Sequence, residues 1–385
     1  MYLDPQVRQL INHYDHCVAT TFVWIDNPEN RWRNDVLPLA QESPSLLFAI
    51  LALSSLHLSS KLPANGPSSI QMSTRSVRYR ERSLQLLARQ LENETQNSRS
   101  AKATPFILAT MRLLCSLEMV HSDSALWRVH LQASHIVIQK WLSIASSIDL
   151  LDSTSRFFIK EFGVLNVFAA TSNFGDIVEF SDIKFAEDEP TIFSHYLETI
   201  HAITIEERKR AALRETGSIL TAVDLNSFTS RLENARTMTR SLSRHLYFCT
   251  EQLRRDFDRV VDICHRSGLI YAYQALAEPD DAELCIRQLL CTLIRDLKLI
   301  SPNGHFAQDL AWPLFISGSA CRHLKDEQLL IKQFLRESMK STGFSNCQEA
   351  LKFLQVFWSE KHVEGDNWIG FARSYARRGQ EFLVF

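Results

Sequence analysis

The amino-acid sequence predicts an all-α fold, a large bundle of many helices. Apolar residues recur every three or four positions along most of the 385 residues, which is the period of an α-helix. Only one short stretch, 178–185, alternates between apolar and polar residues, and a single strand cannot form a sheet. The chain also has only 11 glycines and 11 prolines, too few for the closely spaced turns of a β-sandwich or β-barrel.

The first strong helix is predicted to begin at Ser43 and Pro44. Serine is a good helix cap, and proline fits the first helical position because that residue needs no amide donor. The apolar residues that follow cover nearly the whole circumference of the helix, which predicts a central position in the bundle. They are Leu46, Leu47, Ile50, Leu51, Leu53, Leu56 and Leu58.

Further helices begin at similar signals. Thr104-Pro105 repeats the start signal, and a third helix is predicted to begin at Asp123 or Ser124. A later helix follows Pro279, where two acidic residues suit the positive end of the helix dipole.

The C-terminal part carries a stop signal and another start signal. Gly343 is predicted to end a helix shortly after Lys340, because glycine accepts the left-handed conformation of a helix end. Ser345 and Gln348 match a capping box, which predicts a helix from Cys347 to about residue 362.

The segments between these helices predict a single helical domain over residues 1–385. Three polar stretches, some with glycine or proline, are predicted to be flexible loops: 61–76, 93–104 and 171–191. A weak internal boundary is predicted near 216–227. The sequence has no fixed-period repeat, which argues against a solenoid.

Charge and composition limit the classes of function. The chain has 42 basic and 44 acidic side chains, and the net charge of −2 excludes a nucleic-acid binder that works by bulk charge. The longest apolar run, 44–58, is too short to span a membrane, and we expect no membrane association. None of the eight cysteines is spaced C-x-x-C, so we expect buried thiols in a reducing compartment.

The sequence contains no familiar catalytic motif, and we expect no catalytic residue, metal or cofactor. His13 and Cys17 are spaced i, i+4 and could face one metal ion, but two ligands more often form a half-buried polar pair. His130 lies beside an apolar helix face. It fits a hydrogen-bonded core histidine better than a catalytic base.

Aromatic side chains on helix faces are candidates for a ligand site. Helical bundles usually hold ligands between helices, so these residues could line a cavity, although ordinary core packing is the alternative for each. The candidate ligand-binding residues are Trp127, His130, Trp141 and Trp312.

Three arginines, Arg236, Arg240 and Arg244, are predicted to stack on one long helix. They could track a phosphate backbone, but no base-reading element accompanies them. A solvated face paired with nearby acids is favoured. The apolar stripe of the same helix is predicted to comprise Met238, Leu242, Leu246, Cys249 and Leu253.

Three blocks of sequence resemble a known family. The sequence is similar to the fungal-specific transcription factor regulatory domain of zinc-cluster transcription factors, and the blocks stand in the family's order. The first block is His13-Tyr14, Asp26-Asn27-Pro28, Val36-Leu37-Pro38-Leu39-Ala40 and 43–58; the second is 114–118, Asp123, 127–131 and Ala133; the third is 311–318 and 354–358.

The resemblance implies a large helical regulatory domain with a nuclear role in transcription, often in secondary metabolism. Such domains contact other transcription factors or a second copy of themselves, and many sense a small hydrophobic effector. The family's DNA-binding part needs six cysteines with two C-x-x-C pairs, which this sequence lacks. We therefore expect no direct DNA binding by these 385 residues alone.

An enzyme is the alternative function. A helical domain of this type could be repurposed to convert a hydrophobic metabolite in a pocket between helices. His130 and Glu118 are the candidate acid–base pair, chosen because they lie close in the sequence.

Overall fold

The computed structural model contains helices and connecting segments, and no strand occurs in the part of the chain that it describes. This confirms the all-α prediction. The described residues are 4–63, 65–96, 104–121, 126–145, 151–174, 191–219, 222–302, 304–360, 367–380 and 382–384.

In chain order the helices are α1 Pro5–His13, α2 Arg31–Asn34, α3 Val36–Glu42, α4 Pro44–Lys61, α5 Pro67–Gln96, α6 Thr104–Val120, α7 Trp127–Ala145, α8 Ser153–Ser172, α9 Ser194–Glu215, α10 Leu225–Ser243, α11 Glu251–Leu276, α12 Pro279–Leu297, α13 Ala311–Ser319, α14 Lys325–Thr342, α15 Cys347–Ser359 and α16 Trp368–Arg377. A π-helical turn, Tyr14–Val18, and a 3₁₀ turn, Ala19–Phe22, follow α1.

The chain divides into two compact units. The first unit takes in Met1–Gly163 and Thr342–Ser345, and the second takes in Val164–Ile177, Ser181–Ser341 and Asn346–Phe385. The division falls inside α8, whereas the boundary predicted near 216–227 lies within the second unit, between α9 and α10. The organisation of the chain as one domain stays a prediction.

Helix α4 is the centre of the first unit, as its apolar circumference predicts. Buried side chains occur on every side of it, and α1, α3, α5 and α6 pack around it. Its start at Pro44 is confirmed, but Ser43 makes no side-chain capping bond. The Ser43 hydroxyl lies 3.0 Å from the Ser45 hydroxyl and accepts from the Gln90 amide at 3.4 Å instead.

The predicted loop 61–76 is largely wrong, because α5 already begins at Pro67. The serines that suggested a loop bind the preceding helix. The Ser59 hydroxyl lies 3.0 Å from that of Ser69, and Ser76 donates to the carbonyl of Ala52 at 2.8 Å. Ser69 and Ser76 therefore join α5 to α4.

The other predicted loops lie partly outside the described residues. For the loop predicted at 93–104, α5 continues to Gln96, and 97–103 are not described. For the loop at 171–191, α8 continues to Ser172, and 175–190 are not described. The helix start predicted at Asp123 or Ser124 also falls outside the described residues, and α7 is described from Trp127.

The second unit is arranged around α11 and α13. Helices α9, α10, α12 and α13 pack against α11, and α15 packs against α13. Every residue of α13 is buried. Its Gly318 permits this close packing, because a Cβ there would lie 2.8 Å from the Leu354 Cδ1 atom and 3.2 Å from the Ile331 Cγ2 atom.

Two helix-end predictions differ from the structure. The capping box is wrong, because α15 begins after Asn346 without a side-chain cap, while the Ser345 amide donates to the Met119 carbonyl at 3.0 Å. The start at Cys347 is confirmed, but the helix ends at Ser359, before the end predicted at about residue 362.

The predicted apolar stripe beside the arginines is also wrong. Helix α10 ends at Ser243, so Leu246, Cys249 and Leu253 do not belong to it. A non-helical segment, 244–250, separates α10 from α11, and the Thr250 hydroxyl caps α11 by accepting from the Leu253 amide at 3.1 Å. The buried residues of α10 are Leu232, Ala235, Thr239 and Ser243.

The helix stop at Gly343 is confirmed. Its φ of 82° lies in the left-handed region. A Cβ on Gly343 would lie 2.8 Å from the Ser60 hydroxyl oxygen, 2.9 Å from the Lys61 Cε atom and 3.0 Å from the His57 Nε2 atom. Segment 342–345 therefore docks closely on the C-terminal end of α4.

Substitution of Gly343 tests this docking. We expect Gly343→Ala to lower the free energy of unfolding by about 3 kcal/mol, because left-handed strain adds to a steric clash. Gly379→Ala is the control: its φ is 74°, but no atom lies within 4 Å of the added Cβ. It should cost only the strain, about 1 kcal/mol. Equal losses for the two variants in urea denaturation would contradict the docking.

Candidate functional site

Helix α7 carries three of the four predicted ligand-binding residues on one face. Trp127 is 6% exposed, His130 is 8% exposed and Trp141 is 5% exposed. Their spacing of 3 and 11 residues places them on the same side of the helix, which packs against α6. The thiol of Cys115 in α6 lies 3.6 Å from the Trp127 carbonyl oxygen.

The structure brings His130 and Glu118 together. The His130 Nε2 atom lies 3.8 Å from Glu118 Oε1, and the guanidinium of Arg80 lies 2.7 Å from the same oxygen. Glu118 is only 4% exposed, so its carboxylate needs a matching charge inside the protein. Arg80 supplies that charge, and the three residues link α5, α6 and α7.

Trp312 lies in α13 of the second unit. Its side chain is 2% exposed, and its indole N–H donates to the Thr171 hydroxyl at 3.1 Å. The rings of Tyr196 and Tyr271 meet it edge-on, with centroids 6.1 Å and 5.6 Å away. The ligand-binding role of the four predicted residues stays a prediction.

His13 has a different partner from the one its sequence spacing suggested. Its Nε2 atom lies 2.8 Å from Nδ1 of His57, and the Nε2 atom of His57 lies 2.7 Å from the Thr342 carbonyl oxygen. Cys17 is exposed. Within the described residues, no group of three or more His, Cys, Asp or Glu side chains is arranged to hold a metal ion.

The hydrogen bonds fix the direction of this histidine chain. A carbonyl only accepts, so His57 donates from Nε2, and its Nδ1 then accepts from His13. Burial lowers the pKa of His57 to about 4, against the opposing effect of the bond to Thr342. Burial and the charge of Lys61 also lower the pKa of His13. Both imidazoles are therefore neutral at pH 7.

The outer face of α7 was missed by sequence reasoning. Leu126, the residue before α7, is 45% exposed, and Val129 and Ile136 of the helix are 56% and 68% exposed. Their spacing of three and seven residues aligns them along one side of the helix. We call these three residues the α7 stripe. The sequence did contain a signal for this face, because apolar residues occur on both sides of α7.

Arginines of α10 pair with an acid. Arg236 and Arg240 each donate to the same oxygen of Asp262, at 2.8 Å in both cases. Asp262 lies in α11, so this ion pair joins two helices of the second unit. The acid-pairing interpretation thus describes these two arginines, and Arg236 also pairs with Glu233 of its own helix at 3.2 Å.

None of the described helices is both long and apolar enough to cross a membrane.

The comparison with protein families identifies the class. The sequence model of the family described as "Fungal specific transcription factor domain" matches residues 9–385. The chain belongs to this family, as the resemblance of its three blocks predicts. No curated protein and no solved structure matches the chain.

The histidine chain predicts how stability depends on pH. The unfolded His57 binds a proton below its ordinary pKa of 6.5, but the folded protein binds it only near pH 4. Acid therefore favours the unfolded state between these values, and stability is lost as the pH falls. The contribution of His57 amounts to about 2 kcal/mol between pH 7 and pH 5.

We expect His57→Gln to remove this part of the pH dependence, measured by urea denaturation at pH 7, 6 and 5. His16→Gln is the control, because His16 is 66% exposed. Glu161, whose pKa burial raises to about 7, changes stability in the opposite direction, but it is common to all three proteins. An unchanged pH slope in His57→Gln would contradict the assignment.

Proposed function

We propose that the protein regulates transcription in the nucleus by contacting other proteins. The match of the transcription factor domain family to residues 9–385 carries this proposal, because it gives the chain a regulator-like role. The partners are other transcription regulators or a second copy of the chain. Secondary metabolism is the process we expect it to control.

The α7 stripe supports a role in protein contacts. Its three apolar side chains are exposed on one face, and exposed apolar groups aligned in this way favour association with an apolar surface of a partner. Burying each of them in an interface would contribute roughly 1–2 kcal/mol. The stripe supplies affinity and does not itself determine which regulator binds.

A small hydrophobic effector is the second part of the proposal. An effector held between helices would shift the population of two states of the domain, by as much as its affinities for the two states differ. Buried aromatic side chains on helix faces support this role. We propose Trp127, His130, Trp141 and Trp312 as contributors.

An enzyme remains the second candidate function, because one distance favours it: His130 lies 3.8 Å from Glu118. The family suggests a regulator and not an enzyme. Turnover of a hydrophobic metabolite by the purified protein, abolished in His130→Gln, would establish the enzyme.

A reporter assay tests the proposed regulation. The chain is fused to an unrelated DNA-binding module, and we expect transcription of a reporter with the matching site to change several-fold. Val129→Glu combined with Ile136→Glu should abolish the change, because charges on the stripe oppose burial in an interface. Leu329→Glu is the control, since Leu329 is 64% exposed on α14 of the second unit.

Thermal unfolding verifies that each variant is folded. Light scattering on the purified chain then distinguishes a second copy from another regulator as the partner. An unchanged reporter in the presence of folded, nuclear fusion protein would overturn the proposed regulation. Equal losses in the stripe variant and in Leu329→Glu would overturn the role of the stripe.

A further inference from the structure

We infer that the exposed face of α5 in the first unit binds an acidic, partly apolar segment of another protein. Four arginines of this helix, Arg75, Arg78, Arg82 and Arg89, lie along that face. At about 100° and about 1.5 Å per residue, their positions fall within an arc of about 60° and extend over about 21 Å. We call these four residues the arginine row.

The side chains of the arginine row are available to a partner. Arg78, Arg82 and Arg89 are exposed, and Arg75 is half-buried. None of the four forms an ion pair within the part of the chain that the structure describes. Arg82 donates to the side-chain oxygen of Gln85 at 3.3 Å, and that amide is a neutral acceptor. The charge of the row is therefore not compensated by an acid in contact with it.

A fifth arginine of α5 shows what a paired arginine looks like on the same helix. Arg80 lies on the side that faces α6, and its guanidinium is 2.7 Å from Glu118, which is 4% exposed. Among residues 71–91 of α5, Glu81 is the one acid in the sequence. The exposed face of this stretch thus carries an excess of positive charge, which attracts an acidic partner.

Two apolar side chains on the same exposed face indicate that the partner is a protein segment. Ile70 is 57% exposed and Val77 is 53% exposed, and their spacing of seven residues aligns them. They lie about 100° around the helix from Arg78, so one segment in contact with α5 can reach both groups. Acidic side chains would pair with the row, and apolar side chains would cover Ile70 and Val77.

A nucleic acid fits this face less well. The phosphates of a nucleic-acid backbone could pair with the row, but they gain nothing from the two apolar side chains. The net charge of −2 also gives the whole chain no long-range attraction for a polyanion such as DNA. The inference names a class of partner for the protein contacts proposed above, and it rests on that proposal.

Peptide binding to the purified full chain tests the inference, measured by fluorescence anisotropy. The labelled peptide has about 15 residues, which as a helix would match the length of the row, and combines aspartates with interspersed leucines. We expect this peptide to bind, and added salt to weaken the complex. A peptide with serine in place of leucine should bind several-fold more weakly, and one with asparagine in place of aspartate should not bind.

Variants locate the binding on α5. Arg78→Gln combined with Arg82→Gln should weaken binding about tenfold, the loss expected for two exposed charge pairs. Arg295→Gln combined with Lys298→Gln is the matched control, because it removes two exposed positive charges at the end of α12 in the second unit. Thermal unfolding verifies that both variants are folded.

The apolar part of the face has its own variant. Val77→Ser should weaken binding of the leucine-containing peptide about threefold, because the peptide then covers less apolar surface. Leu284→Ser is the control, since Leu284 is 65% exposed on α12. Equal losses in these two variants would contradict the contact with Val77.

Several results would overturn the inference: no binding of the leucine-containing acidic peptide, equal binding of the serine or asparagine peptide, or equal losses in the two double variants. Tighter binding of duplex DNA or of phosphatidylserine vesicles would overturn it too. Any of these results is compatible with a successful reporter assay, because that assay needs no acidic peptide. Peptide binding without a reporter response would instead retain the surface and refute the proposed regulation.

Discussion

The burial of α4 on every side is the constraint on which the first unit depends. Each fully buried leucine contributes roughly 2 kcal/mol, but only if other helices cover it. Helices α1, α3, α5 and α6 provide that cover. Helix α5 also bonds to the start of α4: the Ser83 hydroxyl donates to the Ser45 carbonyl at 2.8 Å, and the Ser45 hydroxyl donates to the Gln90 amide oxygen at 2.6 Å. Packing and hydrogen bonding thus fix the same arrangement of α4 and α5.

Polar groups inside the first unit hold its helices together and also make its stability depend on pH. His57 is neutral because it is buried, and its two hydrogen bonds hold α1 and segment 342–345 against α4. Arg112 of α6, 1% exposed, and Glu161 of α8, 22% exposed, form a second polar pair, with 3.9 Å between their charged atoms. Burial shifts the pKa values of His57 and Glu161 in opposite senses, because one group carries its charge when protonated and the other when deprotonated.

The sequence predicted the features that depend on neighbouring residues. The start of α4 at Pro44 and the stop at Gly343 follow from local backbone preferences, and the burial of α4 follows from its composition. Contacts between distant residues could not be predicted in this way: His57 and Thr342 are 285 positions apart. Ser345 shows the same limit, because a backbone bond to Met119 replaced the capping box that its local pattern favoured. The pairing of His130 with Glu118 was predicted only because both lie near one connection, between α6 and α7.

The end of α8 depends on a neighbouring helix for its last hydrogen bonds. An α-helix cannot pair the carbonyls of its last turn within itself. Arg208 of α9 donates to the carbonyls of Ala170 and Asn173, at 2.9 Å and 2.8 Å. Loss of that donor would cost free energy, because both carbonyls would lose this bond. These bonds join residues 38 and 35 positions apart, so the local patterns that predict where a helix begins and ends could not have predicted them.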